Sequence, residues 1–190
     1  LEPYVIPGNS FDFSRIHGQS ILRSGYSFVT ASDEAVMEGL VDLTRYDVVD
    51  YLAGEERTSY LPKNDSVPRF TVFPERMLQL LQEYLESGGG VLITGAHIAT
   101  DMHLMDQDSV VSAILKYRWR TSNASRTGSF YFMDSRFADI DEKFTFNTEF
   151  NPKHYAVEGA DALEPADSTA VTLIRYTENN MSAGVAYKNK

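Results

Sequence analysis

The clearest fold signal in the chain is Ser87-Gly88-Gly89-Gly90-Val91-Leu92-Ile93-Thr94-Gly95, in which three glycines separate a helical pattern from an apolar run. Glycine readily adopts the left-handed conformation that ends helices, so the glycines predict a helix C-terminus. The apolar run that starts at Val91 is typical of a strand buried on both faces of a parallel sheet. A phosphate-binding glycine loop has the opposite order, because it follows a strand and opens a helix. We therefore interpret the glycines as a helix stop.

Upstream of these glycines, helical and strand-like patterns alternate. A helix is predicted over 75–86, where Pro74 suits the first turn and apolar residues recur at helical spacing. Other helices are predicted over 13–22 and 34–38, strands over 4–9, 26–30 and 47–54, and a polar loop over 62–68. Strands that alternate with helices predict a parallel sheet with right-handed crossovers.

Beyond Asp108 the sequence becomes rich in β-branched and aromatic residues. A helix is predicted over 109–117, a solvated connector over 158–167, and short strands over 127–132, 144–146, 169–176 and 183–187. The turn signal at 178–180 predicts that the last two strands form an antiparallel hairpin. We therefore predict one α/β domain over 1–190, a three-layer sandwich with a mainly parallel, flavodoxin-like sheet and a β-rich C-terminal portion.

Composition limits the chemistry and the partners. The chain has 190 residues, no cysteine and a formal net charge of -10. The lack of cysteine excludes a thiol nucleophile, a cysteine-based zinc site, an iron–sulfur cluster and disulfides. The negative charge predicts no binding of nucleic acid or anionic membrane. No apolar run approaches the roughly 20 residues that span a bilayer. We expect no cofactor and no metal.

The segment Gly88-Gly89-Gly90-Val91-Leu92-Ile93-Thr94-Gly95-Ala96-His97 combines a helix stop, a buried strand and a loop. In this order it resembles part of the class I glutamine amidotransferase-like domains, in which the strand leads to a nucleophile elbow. The cysteine nucleophile of that family is absent, and no side chain from Thr94 to His97 can replace it as a conventional activated nucleophile. The resemblance therefore implies the fold without amidotransferase activity.

Phrases spread over the chain carry a second resemblance. They are Gly8-Asn9-Ser10-Phe11-Asp12, Ile16-His17-Gly18, Gly25-Tyr26-Ser27-Phe28-Val29, Tyr46-Asp47-Val48-Val49-Asp50, Gly54-Glu55-Glu56, Ser87-Gly88-Gly89, Ala99-Thr100-Asp101, Glu164-Pro165-Ala166-Asp167 and Arg175-Tyr176-Thr177-Glu178-Asn179-Asn180. The set resembles a domain of exported gut bacterial proteins often labelled xanthan-lyase-like or golvesin-C-terminal-containing. The resemblance implies a multidomain, polysaccharide-associated parent in the periplasm or at the cell surface, and it does not by itself imply lyase chemistry in this domain. We therefore expect a polysaccharide ligand and other domains of a longer chain. Because the predicted α/β half has few strands, we also expect a further sheet strand from beyond Lys190 or from a neighbouring domain.

The loops that follow the predicted strands are expected to converge, because ligands bind at the carboxyl ends of strands in an open parallel sheet. Asn9, Ser10, Asp12 and Glu56 are therefore predicted to bind a ligand. The Gly8-Asn9-Ser10 order is similar to the Gly-x-Ser of a GDS-type esterase. Such an enzyme needs Asp-x-x-His near its C-terminus, where this chain has Asn before the late histidine, so a turn serine is favoured.

Glu55, His97 and Asp101 are the candidate catalytic residues, because neighbouring carboxylates and an imidazole can perform acid–base chemistry. In this interpretation His97 is a general base that Asp101 or Asp106 orients. Alternatively, His97 binds a metal with Asp101 and His103, although the spacing of these residues matches no defined metal motif. The alternatives are a solvated Glu55 bonded to a backbone amide or to an arginine, and a loop imidazole with local hydrogen bonds.

The candidate aromatic platform for a sugar ring is the set Trp119, Phe130, Tyr131 and Phe132, which is interleaved with Arg118, Arg120 and Arg126, and Trp119 is the residue predicted to bind the ligand. The alternation of Trp119 with Arg118 and Arg120 is also typical of a half-buried edge strand with core contacts. The functional prediction is a non-catalytic or degenerate module that binds glycan or packs against other domains. The alternative is a glycan-acting hydrolase or lyase that uses the strand-end carboxylates and His97.

Overall fold

The computed structural model describes residues 13–61, 64–133, 140–149 and 156–188. The helices are α1 (Phe13–Arg23), α2 (Asp33–Met37), α3 (Glu75–Glu86), α4 (Thr100–Leu104) and α5 (Asp108–Ile114), and a 3-10 turn covers Leu43–Arg45. The strands are β1 (Val48–Gly54), β2 (Ser59–Leu61), β3 (Asn64–Phe70), β4 (Gly90–Gly95), β5 (Tyr117–Thr121), β6 (Ser129–Phe132), β7 (Lys143–Thr145), β8 (Ala162–Pro165), β9 (Ala170–Tyr176) and β10 (Ser182–Tyr187). Within these ranges no helix has the length and apolar character needed to cross a membrane.

The helix, glycine turn and strand predicted around the triple glycine are confirmed. α3 ends at Glu86 with Ser87 as its C-cap, and Gly88 follows with φ +96°, the left-handed conformation expected after a helix. A Cβ on Gly89 would lie 2.1 Å from the Tyr84 ring, so the chain can turn this closely only at a glycine. β4 then pairs in parallel with β1. Their side chains on the α3 face, including Val49 and Val91, pack against the buried face of that helix.

The opposite face of the β1–β4 pair carries α1. His17 Nδ1 lies 2.7 Å from Asp50 Oδ2, and the Phe13 ring lies against Gly54. Val48 and Leu92 of this face remain 63% and 51% exposed, so the prediction that the strand starting at Val91 is buried on both faces is wrong, because α1 covers only part of this face. The structure therefore confirms an α/β fold, but in the described ranges only β1 and β4 pair in parallel.

The predicted strand over 26–30 is wrong, because these residues form no strand in the structure. They follow α1 directly, and the Tyr26 amide donates to the Ile21 carbonyl. The Phe28 ring folds back over Gly18, whose missing side chain makes room for it. Packing on the helix thus replaces strand pairing at these residues. The predicted strand over 4–9 lies outside the described residues.

The β-rich character of the second half is confirmed. β10, β9, β6 and β7 form an antiparallel sheet in that order, and β9 and β10 form the predicted hairpin. One face of this sheet is aromatic, with Phe130 stacked on Phe144 and packed near Phe146 and Tyr176.

Three local predictions are wrong. The helix predicted over 109–117 ends at Ile114, because Lys116 has φ +61° and β5 starts at Tyr117. The polar loop predicted over 62–68 includes strand residues, since β2 and β3 pair as an antiparallel hairpin. The connector predicted over 158–167 contains β8, which pairs with β5 and buries Leu163 in the main core, the buried cluster that includes Val72, Phe73, Leu78 and Val111. The β5–β8 pair joins segments about 45 residues apart, which local composition does not indicate, whereas β2 and β3 are neighbours whose polar composition resembles that of a loop.

Candidate functional site

The carboxyl ends of β1 and β4 lie side by side. The Ala96 amide donates a 2.7 Å hydrogen bond to the Gly54 carbonyl, so the loops that follow the two strands begin in contact. A Cβ on Gly95 would lie 2.8 Å from the Ala53 Cβ and from Ile98, and only glycine permits this approach. Glu55 and Glu56 leave one strand here, and residues 97–101 leave the other.

Glu55 and His97 meet at this edge. Glu55 Oε2 lies 3.3 Å from His97 Nε2, and Glu55 Oε1 accepts a hydrogen bond from the Glu158 amide. The side chains of Glu55 and His97 are only 9% and 3% exposed. Glu55 is therefore not solvated, contrary to one alternative. The hydrogen bond from a backbone amide that the same alternative included is present. The pair is enclosed by protein, and both oxygens of the carboxylate have a protein partner.

Asp101 does not orient His97. Its Oδ1 accepts a 2.7 Å hydrogen bond from the Thr58 amide, and its Oδ2 accepts from the Thr58 hydroxyl at 2.9 Å and the Val72 amide at 3.2 Å. These donors lie before β2 and after β3. Asp101 therefore attaches the β2–β3 hairpin to α4, and the expected role beside His97 is wrong.

The alternative in which His97, Asp101 and His103 together bind a metal is also wrong. His103 Nδ1 lies 2.7 Å from Asp108 Oδ2, and Asp101 bonds the hairpin instead. Asp106, the other candidate to orient His97, follows α4 in a left-handed turn with φ +61°. In the described parts of the chain no group of three or more His, Asp or Glu side chains is placed to hold a metal ion.

Asp161 is the residue that sequence reasoning missed. It is 5% exposed, and its Oδ2 accepts hydrogen bonds from the amides of Ala99 at 2.9 Å and Thr100 at 2.7 Å. Its Oδ1 accepts from the Thr100 hydroxyl. Burial raises the pKa of Asp161, and the hydrogen bonds from Thr100 and Ala99 act in the opposite direction. No local pattern marks Asp161, which lies in a segment that reads as solvated.

Residues 156–161, here called the covering segment, pass over the strand ends. Asp161 donates its amide to the Ala96 carbonyl, and the Ala124 amide donates to the Ala160 carbonyl. Gly159 has φ +68°, and a Cβ there would lie 2.9 Å from Asn123 Oδ1 and 3.2 Å from His97 Cε1. Open parallel sheets bind ligands at this edge. In this chain the edge is occupied by the covering segment.

Glu56 differs from Glu55 in its surroundings. Its side chain is half-buried, and burial raises the pKa of Glu56 to about 7, with further contributions from the charges of Asp33, Asp101 and Glu34. A carboxyl group with such a pKa exchanges protons near neutral pH. Glu56 is therefore the strand-end carboxyl with the electrostatic properties of an acid–base group. Asn9, Ser10 and Asp12, predicted to line the same edge, lie outside the described residues.

Trp119 lies in β5, as the edge-strand alternative expects, and its ring is engaged by protein. Its Nε1 donates a 3.0 Å hydrogen bond to the Thr100 hydroxyl, and the His103 ring stacks on it with centroids 3.9 Å apart and planes 10° apart. The indole also packs against the main core. One face of the proposed sugar platform is thus covered by an imidazole.

Comparison with known proteins finds no matching family model, no matching curated protein and no matching solved structure.

Proposed function

We propose that this chain is a non-catalytic module of an exported, polysaccharide-associated protein, built on a flavodoxin-like α/β scaffold whose ligand-binding edge is filled by its own chain. The observation that carries the proposal is the Asp161 carboxylate, which accepts the Ala99 and Thr100 amides beside the end of β4. A substrate that used this edge would have to displace a buried, fully bonded carboxylate. Such a displacement costs several kcal/mol.

The hydrogen bonds of the other strand-end groups support the same conclusion. Glu55 and Asp101 each accept a bond from a backbone amide, at Glu158 and Thr58 respectively. A general base must come within hydrogen-bond reach of a substrate proton, directly or through one water. The His97 ring is enclosed between Glu55 and the covering segment. Glu55, Asp101 and His97 therefore connect the loops at the strand ends to each other, which is a structural role.

Support for packing against another domain comes from the sheet. Val48 and Leu92 are exposed on the α1 side of the β1–β4 pair, although strands of a parallel sheet are normally covered on both faces. α1 and α3 lie on opposite faces of this pair, as a three-layer sandwich requires. The exposed part of the α1 side offers an apolar surface that a neighbouring domain of a longer, multidomain chain can cover.

The test is product formation. The chain is incubated with acidic and neutral polysaccharides, and new reducing ends and unsaturated uronate products are measured. We expect neither above the level of a heat-treated sample, and no difference between the native chain and His97→Ala. Turnover that His97→Ala abolishes while the variant stays folded contradicts the proposal.

One observation favours the alternative, a glycan-acting hydrolase or lyase. Glu56 follows Glu55 directly at the strand end, and its pKa of about 7 suits a group that donates or accepts a proton near neutral pH. In that case Glu56→Gln removes turnover and Glu83→Gln, an exposed carboxylate on α3, leaves it unchanged. Equal turnover in both variants excludes this alternative.

A further inference from the structure

Two cations and an aromatic ring line up across the antiparallel sheet. Tyr131 of β6 lies opposite Lys143 of β7 on one side and opposite Arg175 of β9 on the other. Neighbouring strands are about 4.8 Å apart, so the two outer residues are separated by roughly 10 Å along the sheet. Lys143, Tyr131 and Arg175 are here called the cationic row.

The cationic row lies on the outer face of the sheet. Side chains alternate between faces along a strand, and Phe130 and Phe132, the neighbours of Tyr131, pack with Phe144 on the inner face. Lys143, which precedes Phe144, is exposed. The row therefore faces away from the aromatic core and toward solvent.

A shared partner positions the ring and the guanidinium. The Tyr131 hydroxyl donates a 2.9 Å hydrogen bond to Asn180 Oδ1, and Arg175 Nη1 donates to the Asn180 carbonyl. Asn180 lies in the β9–β10 turn with φ +62°. The two side chains are thus arranged by one turn residue. This contact uses one of the five N–H donors of a guanidinium.

The nearby carboxylate of Glu178 is engaged by a turn rather than by the row. Its Oε1 accepts hydrogen bonds from the Ser125 hydroxyl and from the amides of Arg126 and Thr127. The Ser125 hydroxyl is the main cause that holds the pKa of Glu178 below its ordinary value. Lys143 and Arg175 therefore provide positive charge on the outer face of a chain whose net charge is -10.

We propose that the outer face of β7, β6 and β9 binds an acidic, uronate-bearing polysaccharide through the cationic row. The Tyr131 ring offers its face to the apolar face of a sugar, as amphipathic rings do at wet interfaces. Lys143 and Arg175 provide charge-assisted hydrogen bonds to carboxylates on either side. The inference deepens the polysaccharide association in the proposed function and places the binding surface away from the strand ends.

Nucleic acid is the other polyanion that such a row could attract. Its binding depends on neutralising many phosphates and releasing counterions, for which an acidic chain with two cations in the row is poorly suited. A uronate chain has carboxylates between apolar sugar faces, so it can use the ring and the cations together. We therefore commit to the acidic glycan and include an oligonucleotide in the test.

The experiment measures affinity by calorimetry with oligogalacturonate as the probe. A fully methyl-esterified oligogalacturonate of the same length, which lacks the negative charges, is the matched neutral probe. We expect binding of the acidic probe that weakens as salt rises, and about tenfold or greater weakening in Lys143→Gln and in Tyr131→Ala. Tyr131→Phe keeps the ring and should retain most of the affinity. Arg23→Gln removes one exposed positive charge from the last turn of α1 and should change nothing.

Three outcomes overturn the inference: no binding of the acidic probe by the folded native chain, equal weakening in Arg23→Gln and Lys143→Gln, and tighter binding of an oligonucleotide of equal charge. If Tyr131→Ala does not fold, its lost affinity is not counted as evidence. Lys143→Gln, at an exposed residue, then tests the inference. Failure here is separable from failure of the proposed function. Product formation tests the absence of catalysis, whereas affinity for the acidic probe tests the cationic row.

Discussion

Asp161 Oδ2 accepts a 2.7 Å hydrogen bond from the Thr100 amide, although 61 residues separate the two in sequence. The bond joins the covering segment to the first residue of α4 and brings a carboxylate to the end of β4. A buried carboxylate with satisfied bonds is costly to remove, because its donors lose their partners inside the protein.

Asp161→Ala should lower the free energy of unfolding by about 3 kcal/mol, because the Ala99 and Thr100 amides would be left without their acceptor. Urea unfolding followed by the fluorescence of Trp119, the single tryptophan, measures the change. Asp167→Ala is the control, since Asp167 is exposed and its side chain bonds its own turn and Lys116. Equal stability of the two variants would show that the buried carboxylate does not hold the loops.

Gly159→Ala should destabilise the chain more than Gly39→Ala. Both glycines have a positive φ, +68° and +76° respectively, so each substitution introduces backbone strain of about 1 kcal/mol. A Cβ at 159 also meets Asn123 and His97, whereas a Cβ at 39 meets nothing within 4 Å. We expect a further loss of about 1–3 kcal/mol at 159, measured by urea unfolding. Similar losses in both variants would mean that the covering segment can move away from His97 at little cost.

The raised pKa of Glu56 predicts a pH dependence of stability. The pKa is about 7 in the folded chain against an ordinary value of 4.5, so between these values the folded state binds more protons than the unfolded state. Stability from this group is therefore full below about pH 4.5, falls as pH rises toward 7, and is constant above it. Because Glu56 is only half-buried, solvent screening reduces the effect to about 1–2 kcal/mol.

Urea unfolding at about pH 5 and about pH 8 checks this sign. Glu56→Gln should flatten the difference in unfolding free energy between the two pH values by about 1–2 kcal/mol relative to the native chain. Glu83→Gln, an exposed carboxylate on α3, should leave it unchanged. The raised pKa of Glu56 is contradicted if the native chain becomes more stable between these pH values and Glu56→Gln does not. The pH dependence that Glu56 causes would then have the opposite sign.

Glu55→Gln should loosen the covering segment. The substitution weakens the acceptor of the Glu158 amide and the contact with His97, and bonds to a charged acceptor are about twice as strong as neutral ones. Hydrogen exchange measured by mass spectrometry should be several-fold faster over residues 156–161 and unchanged over α3. Glu86→Gln, at the exposed end of α3, is the control. Unchanged exchange over the covering segment would show that Glu55 does not hold it.

The parts of the fold that sequence predicts are those with local causes. The helix over 75–86, its glycine stop and the following strand depend on neighbours in sequence, and all three are confirmed. The meeting of Glu55 and His97 follows from a general property of parallel strands, whose carboxyl ends share one edge. Each of these depends on short-range conformational preferences or on a rule of topology.

The parts that sequence does not predict depend on contacts between distant segments. Asp101 looks like a partner for His97 because it lies four residues away, but its acceptor oxygens bond Thr58 and Val72 around a hairpin. Asp161 lies in an acidic segment whose composition predicts solvent exposure, and only the tertiary fold buries it. Composition indicates neither assignment, because both depend on which amide donors the fold brings within reach.

The covering segment also affects how the chain unfolds. It bonds Ala96 after the parallel pair and Ala124 before the antiparallel sheet, so the same stretch of backbone contacts the half of the chain that contains the parallel pair and the half that contains the antiparallel sheet. When one half unfolds, the other half loses the contacts that it makes with the covering segment. We therefore expect one cooperative melting transition, and fragments divided between β5 and β6 that do not persist as ordered pieces.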